Sequence, residues 1–247
     1  MQRYFLHLAY DGSTYHGWQV QPNAISVQEV ITQALQTILR DPLVETLGCG
    51  RTDTGVHASE FYLHFDSQEE LVDPEKEIYK LNNILPFDIA CFSLIPVHPE
   101  AHARFDATER AYEYRIHTVK DPFLKKYSVF VPYDLDVEIM NKAGQLMLKY
   151  SDFAAFCKSG SDQHTTICDL IEASWVKEGN QLRFHIRANR FLRNMVRAIV
   201  GTMIDLGRGH ISLEEFESIL SSGARSNAGT SAPAHGLYLS EVKYPYL

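Results

Sequence analysis

Apolar and polar residues alternate over residues 3–10, the period of two that a half-buried strand requires. Ser26 then opens a segment in which Val27, Val30, Ile31, Ala34, Leu35 and Ile38 recur at helical spacing, and Ser26 with Glu29 fits a capping box. Residues 43–49 read as a second strand and 60–65 as a third, with the glycine-rich loop GRTDTGVHA between them. Asp73-Pro74 starts another helix, with proline at the first helical position, where its missing N–H is harmless. Residues 88–97 follow as a fourth strand. The order is β-α-β-β-α-β, the split βαβ or ferredoxin-like pattern.

The same order recurs further along. Residues 111–118 alternate as a strand, with Tyr112, Tyr114 and Ile116 on one face. Residues 136–149 fit a helix, and 165–177 and 181–188 fit strands joined at Gly179-Asn180. Residues 190–207 read as an amphipathic helix. Ser212, with Glu215 three residues on, begins a short helix over 212–221, and residues 237–244 close the pattern as a strand. The Ser/Gly/Ala/Pro-rich stretch 221–236 is a loop. No sequence repeat of fixed period is present; the order of elements is what repeats. The expected fold is α+β: ferredoxin-like or RRM-like βαββαβ halves with antiparallel sheets, residues 1–104 and 105–247, and a central cleft of the kind where ligands commonly bind.

Composition narrows the class. The chain has 247 residues, 45% of them hydrophobic, enough for a sizeable core. No apolar run approaches the roughly 20 residues of a membrane helix. The N-terminus has no apolar stretch and small-residue cleavage site of a signal peptide. Cys49, Cys91, Cys157 and Cys168 are scattered, with no C-x-x-C pair, so a reduced, cytoplasmic protein without a zinc site is expected. The net charge of −8 argues mildly against a nucleic-acid partner, but it hides an asymmetry. Arg183, Arg187, Arg190, Arg193, Arg197 and Arg208 fall in one stretch against Asp205 alone. A basic stripe on an acidic protein fits a local RNA-binding surface, and equally a solvated helix face.

Three segments could carry chemistry. In GCGRTDTGVHA, glycines bracket Arg51 and Asp53 between apolar strands, an arrangement that presents a carboxylate on a tight loop. The ending of a P-loop is missing, and a turn whose Asp caps its own backbone is the plainer alternative. In Asn189–Gly207, helical spacing puts Leu192, Met195, Val196, Ile199 and Met203 on one face and Arg190, Arg193 and Arg197 on the other. Such arginines could bind phosphates or pair with a buried carboxylate. In ARFDATERAYEY, Arg104 and Arg110 interleave with aromatics, a pattern suited to stacking unpaired bases, though a strand with core tyrosines reads the same way. His98-x-x-x-His102 contains Pro99 and follows a strand, so its ligand-like spacing is a chance match.

Together, YDGSTYHGWQVQPNAISVQEVI, GCGRTDTGVHA, ARFDATERAYEYRI, RANRFLRNMVRAIVGTMIDLG and APAHGLYL resemble the TruA family of tRNA pseudouridine synthases, in the family's order and across nearly the whole chain. The resemblance implies isomerisation of uridine to pseudouridine at tRNA positions 38, 39 and 40, in the anticodon stem-loop. It implies a homodimer with no cofactor, no metal and no membrane association. It assigns Asp53 as the catalytic carboxylate, Arg51 as the residue that helps displace the base, and Arg197 as the partner of the carboxylate. Tyr112 would stack on the uracil and Leu237 pack against it, while Arg104, Arg110, Arg190 and Arg193 would contact the RNA. Asp53 could attack the sugar, attack the base or remove a sugar proton, and the residues do not choose among these. The main rival is a non-catalytic RNA-binding module with RRM-like halves, which leaves a carboxylate in a glycine-rich loop unexplained. A metal-dependent hydrolase using Asp53 and nearby histidines has little support from ligand spacing.

Overall fold

Strand β1 (Gln2–Tyr10) is the alternating segment at the N-terminus, and Tyr4, Leu6, Leu8 and Tyr10 are all buried. The computed structural model describes residues 1–160 and 164–247. Helix α1 (Val27–Leu39) begins at Ser26, whose side chain accepts the Glu29 N–H, and buries Val27, Ile31, Ala34 and Leu35. A short β2 (Leu47–Gly48), β3 (His57–Ser67), α2 (Pro74–Ile84) and β4 (Ile89–Val97) follow. Asp73 caps α2 through the Lys76 N–H, with Pro74 at the first helical position. β1 pairs antiparallel with both β3 and β4, and β2 pairs antiparallel with β3, giving the order β4-β1-β3-β2. α2 packs on β4 and against α1.

The next strands are β5 (Glu109–His117) and a short β6 (Val129–Phe130) that runs parallel to it. Helix α3 (Val137–Met147), β7 (Leu170–Glu178) and β8 (Gln181–Ala188) come next, then α4 (Met195–Gly207), α5 (Leu213–Ser222) and β9 (Leu237–Lys243). β8 pairs antiparallel with β5 on one side and β7 on the other. The turn between β7 and β8 places Gly179 at φ 60°, the left-handed region that glycine enters without steric penalty. α3 packs on β7 and against α4 and α5. Asn141 of α3 closes a two-way bond with the Trp175 backbone, accepting its N–H at 2.7 Å and donating to its carbonyl at 3.0 Å. The full reciprocal capping box forms at Ser212 and Glu215. By contacts the chain divides into Met1–Thr108 with Leu239–Leu247, and Glu109–Tyr238, so β9 starts in the second unit and ends in the first.

Several elements differ from the sequence expectation, each for a visible reason. The second strand shrinks to Leu47–Gly48 because α1 takes its backbone: Gln36 donates to the Val44 carbonyl and Gln28 to the Thr46 carbonyl. The third starts at His57, within the glycine-rich loop. Residues 165–169 do not join β7, because the Cys168 N–H donates to Ser151 O and the Phe153 N–H to Thr166 O. The expected helix over 190–207 starts only at Met195. Asn194, at φ 65°, cannot continue a right-handed helix, and the Arg193 carbonyl accepts from Lys158 instead. Arg190 and Arg193 therefore precede α4, and the arginine face of a single helix does not form. α4 itself is buried nearly all round, with Arg197 half-buried.

Candidate active site

The loop from Cys49 to Val56 carries Arg51, exposed, and Asp53, half-buried. It is shaped from below by aromatic packing. Trp18 stacks on Phe61 at 4.1 Å, and Tyr10 meets Phe61 edge-on at 5.5 Å. Gly48 lies against this cluster; a Cβ there would come within 2.6 Å of the Trp18 ring. Gly55 turns the chain at φ 77°, whereas Gly50 has open space around it. Two of the bracketing glycines thus have a physical job and the third meets no steric demand.

The segment from Tyr10 to Trp18 clasps the loop. The Tyr10 and Thr52 hydroxyls share a hydrogen bond of 2.9 Å, and both residues are buried. The Trp18 N–H donates to Thr52 O at 3.2 Å, and the Gly55 N–H to Tyr15 O at 3.4 Å. Gly12 lies so close to the Val56 carbonyl, and Gly17 so close to Thr52 O, that a Cβ on either would collide. His57, 1% exposed, accepts the Gly12 N–H at Nδ1 (3.2 Å), and the same nitrogen is 3.0 Å from Asp11 Oδ1. Within the loop, the Val56 N–H donates to Asp53 O at 3.1 Å. Asp53 is thus held on both sides along the chain. The sequence reading missed this clasp; the only trace of it is a pair of glycines among aromatics in YDGSTYHGW, some forty residues from their partners.

In the second unit, β5 carries Arg110 and Tyr112. Tyr112 is half-buried and meets the Phe191 ring edge-on at 5.0 Å. Arg110 donates to the Asn189 carbonyl at 3.2 Å, so the segment before α4 lies over this end of the strand. Tyr114 and Ile116, by contrast, are core residues. The Tyr114 hydroxyl donates to Pro233 O, and burial pushes its pKa up, against a smaller opposing pull from Arg197. Arg197 donates through Nε to Ala232 O at 2.7 Å and accepts the Ala232 N–H on its own carbonyl at 2.9 Å. Gly201 lets the same loop approach, since a Cβ there would collide with Thr230 O. Arg225 holds the loop through the Gly229 carbonyl and Ser231, and Asn194 bonds Ser231 at 2.7 Å. Leu237, buried, starts β9 just beyond.

The remaining arginines separate by environment. Arg104 is exposed, over the Phe105 ring at 5.5 Å, and belongs to the first unit. Arg193 is exposed and Arg190 half-buried. Arg183 and Arg187 sit on β8 and face acids, Glu178 at 3.6 Å and Glu109 at 3.4 Å. The basic stripe read from the sequence is therefore partly neutralised across strands, because a linear count of charges overlooks acids on neighbouring strands. Among the described residues, no three His, Cys, Asp or Glu side chains are grouped to hold a metal, and no helix is long and apolar enough to cross a membrane.

A family model described as tRNA pseudouridine synthase matches residues 150–245. Curated relatives named tRNA pseudouridine synthase A cover nearly all of the chain. The protein of that name from Bacteroides fragilis is 50% identical over 99% of this chain and 97% of its own. That from Bacteroides thetaiotaomicron is 50% identical over 99% of this chain and 91% of its own. That from Parabacteroides distasonis is 47% identical over 99% and 97%. Identity of this extent over more than nine-tenths of both chains leaves one family open, and this chain belongs to the tRNA pseudouridine synthases.

Proposed function

We propose that this chain isomerises uridine to pseudouridine in the anticodon stem-loop of tRNA, at positions 38, 39 and 40, with Asp53 as the catalytic carboxylate. It acts as a cytoplasmic homodimer and needs no cofactor. The observation that carries the reading is a half-buried aspartate held on both sides of a clasped loop, in a chain of this family. The reaction breaks the C1′–N1 bond, forms C1′–C5, releases the C5 hydrogen as a proton and leaves a proton on N1. Electrons and atoms balance without an oxidant. A base in a stem must first leave the stack, at a cost of a few kcal/mol. Arg51, exposed beside Asp53, enters the space the base vacates. Tyr112 offers its ring to the uracil and Leu237 an apolar wall. Arg197 is the arginine that pairs with the carboxylate and aims it, a charge-assisted role its planar fork suits. Arg104, Arg110, Arg190 and Arg193 bind phosphates.

Tritium release from tRNA carrying 5-tritiated uridine tests this directly, with EDTA present. The wild type should release tritium, whereas Asp53→Asn should bind tRNA and release none. A wild type that binds a range of tRNAs and releases nothing would leave an RNA-binding module as the better account.

A further inference from the structure

Most of what holds the Asp53 loop is backbone, which substitution cannot remove. One contact is different. The residue immediately before Asp53 is Thr52, and its hydroxyl meets the Tyr10 hydroxyl at 2.9 Å in a buried setting, with Tyr10 4% and Thr52 8% exposed. The Thr52 carbonyl is bound as well, by the Trp18 N–H. Thr52 is thus gripped at both its polar ends, and the direction in which Asp53 leaves the loop follows from its setting. Tyr10 is itself located by ring packing on Phe61 and Trp18 at the end of β1, so its hydroxyl sits on a rigid element. A buried hydroxyl pair of this kind restricts rotation of the Thr52 side chain and the backbone attached to it.

We propose that the Tyr10 hydroxyl is a positioning residue for the reaction: acting through Thr52, it sets the orientation of the Asp53 carboxylate. This rests on the reading of Asp53 as the reacting carboxylate. Small misplacements of a reacting group lower the chemical step far more than they lower binding. The contact therefore belongs to kcat and not to tRNA affinity.

The test uses Tyr10→Phe, Thr52→Val, the double variant and Thr52→Ser, each measured for tritium-release kcat and KM, tRNA Kd and urea midpoint. Tyr10→Phe keeps the ring packing and deletes only the hydroxyl. Each single variant should lose about 10-fold or more in kcat, with KM and Kd within about 2-fold of wild type. The double variant should be no slower than the slower single, since both remove one contact. Thr52→Ser, which keeps the hydroxyl, should recover most of the kcat that Thr52→Val loses. Wild-type kcat in Tyr10→Phe, or losses that multiply in the double variant, would overturn the proposal. So would a Thr52→Ser variant as slow as Thr52→Val. Asp53→Asn runs alongside: if it retains activity, the reading of Asp53 fails, whatever the Tyr10 series shows.

Discussion

His64 illustrates how one residue can report on the packing around it. It lies on β3, 8% exposed, stacked on Phe5 and edge-on to His102, and its Nδ1 accepts the Ala103 N–H at 3.1 Å. Burial foremost, with Arg3 and His102 adding to it and Asp66 and Asp106 opposing, pushes its pKa down to about 4. The imidazole is thus folded in as a neutral acceptor. The unfolded chain takes up the proton first as pH falls, so stability is complete above the ordinary value of 6.5 and drains away towards about 4. His7, His102, His117 and His235 are depressed in the same direction, also chiefly by burial. Urea unfolding at about pH 7.5 and about pH 5 should show the wild type losing stability on acidification. His64→Gln, which cannot titrate, should lose less, by roughly 2 kcal/mol at most.

At the level of elements, the clasp between the β1–α1 segment and the Asp53 loop depends on close approach, not on many bonds. A Cβ on Gly12 would strike the Val56 carbonyl, and Val56 is the residue whose N–H bonds Asp53 O. Gly12→Ala should therefore destabilise by about 1–3 kcal/mol and lower tritium release, because the loop must move away. Gly50→Ala is the contrast. Nothing lies within 4 Å of its added methyl, so its unfolding free energy from urea titration should stay within about 0.5 kcal/mol of wild type. The same logic governs the start of α4. Asn194 at φ 65° reverses the chain, and its side chain ties down Ser231, so helix and loop are set together.

The whole molecule is acidic, with 23 basic and 31 acidic residues, yet a tRNA ligand must be met by local positive charge. The arginines Arg183 and Arg187 of β8 face carboxylates, while Arg193 stands exposed ahead of α4. This division predicts different salt responses. Arg193→Gln should weaken tRNA binding and reduce the slope of log affinity against log salt by about 1. Arg183→Gln, beside Glu178, should leave that slope unchanged. Equal effects from both would show that the pairing on β8 does not divert charge from the RNA.

Much of this protein was legible without coordinates. Strand alternation in β1 and β5, the apolar face of α1, and the starts at Ser26, Asp73-Pro74 and Ser212 with Glu215 are signals that act within a few residues, so the sequence determined them directly. The loop bearing Arg51 and Asp53 could be recognised because its glycines and its family signature are contiguous. Elsewhere, competition for backbone groups decided the outcome. Residues 43–46 have strand composition, but Gln28 and Gln36 of α1 take their carbonyls. Residues 190–194 have helical spacing, but Lys158 and Asn194 draw that backbone out of the helix. Only the tertiary structure joins Tyr10 to Thr52, Gly12 to Val56 and Arg197 to Ala232. A glycine permits close approach without naming its partner, and a hydroxyl bonds to whichever group the packing brings within reach.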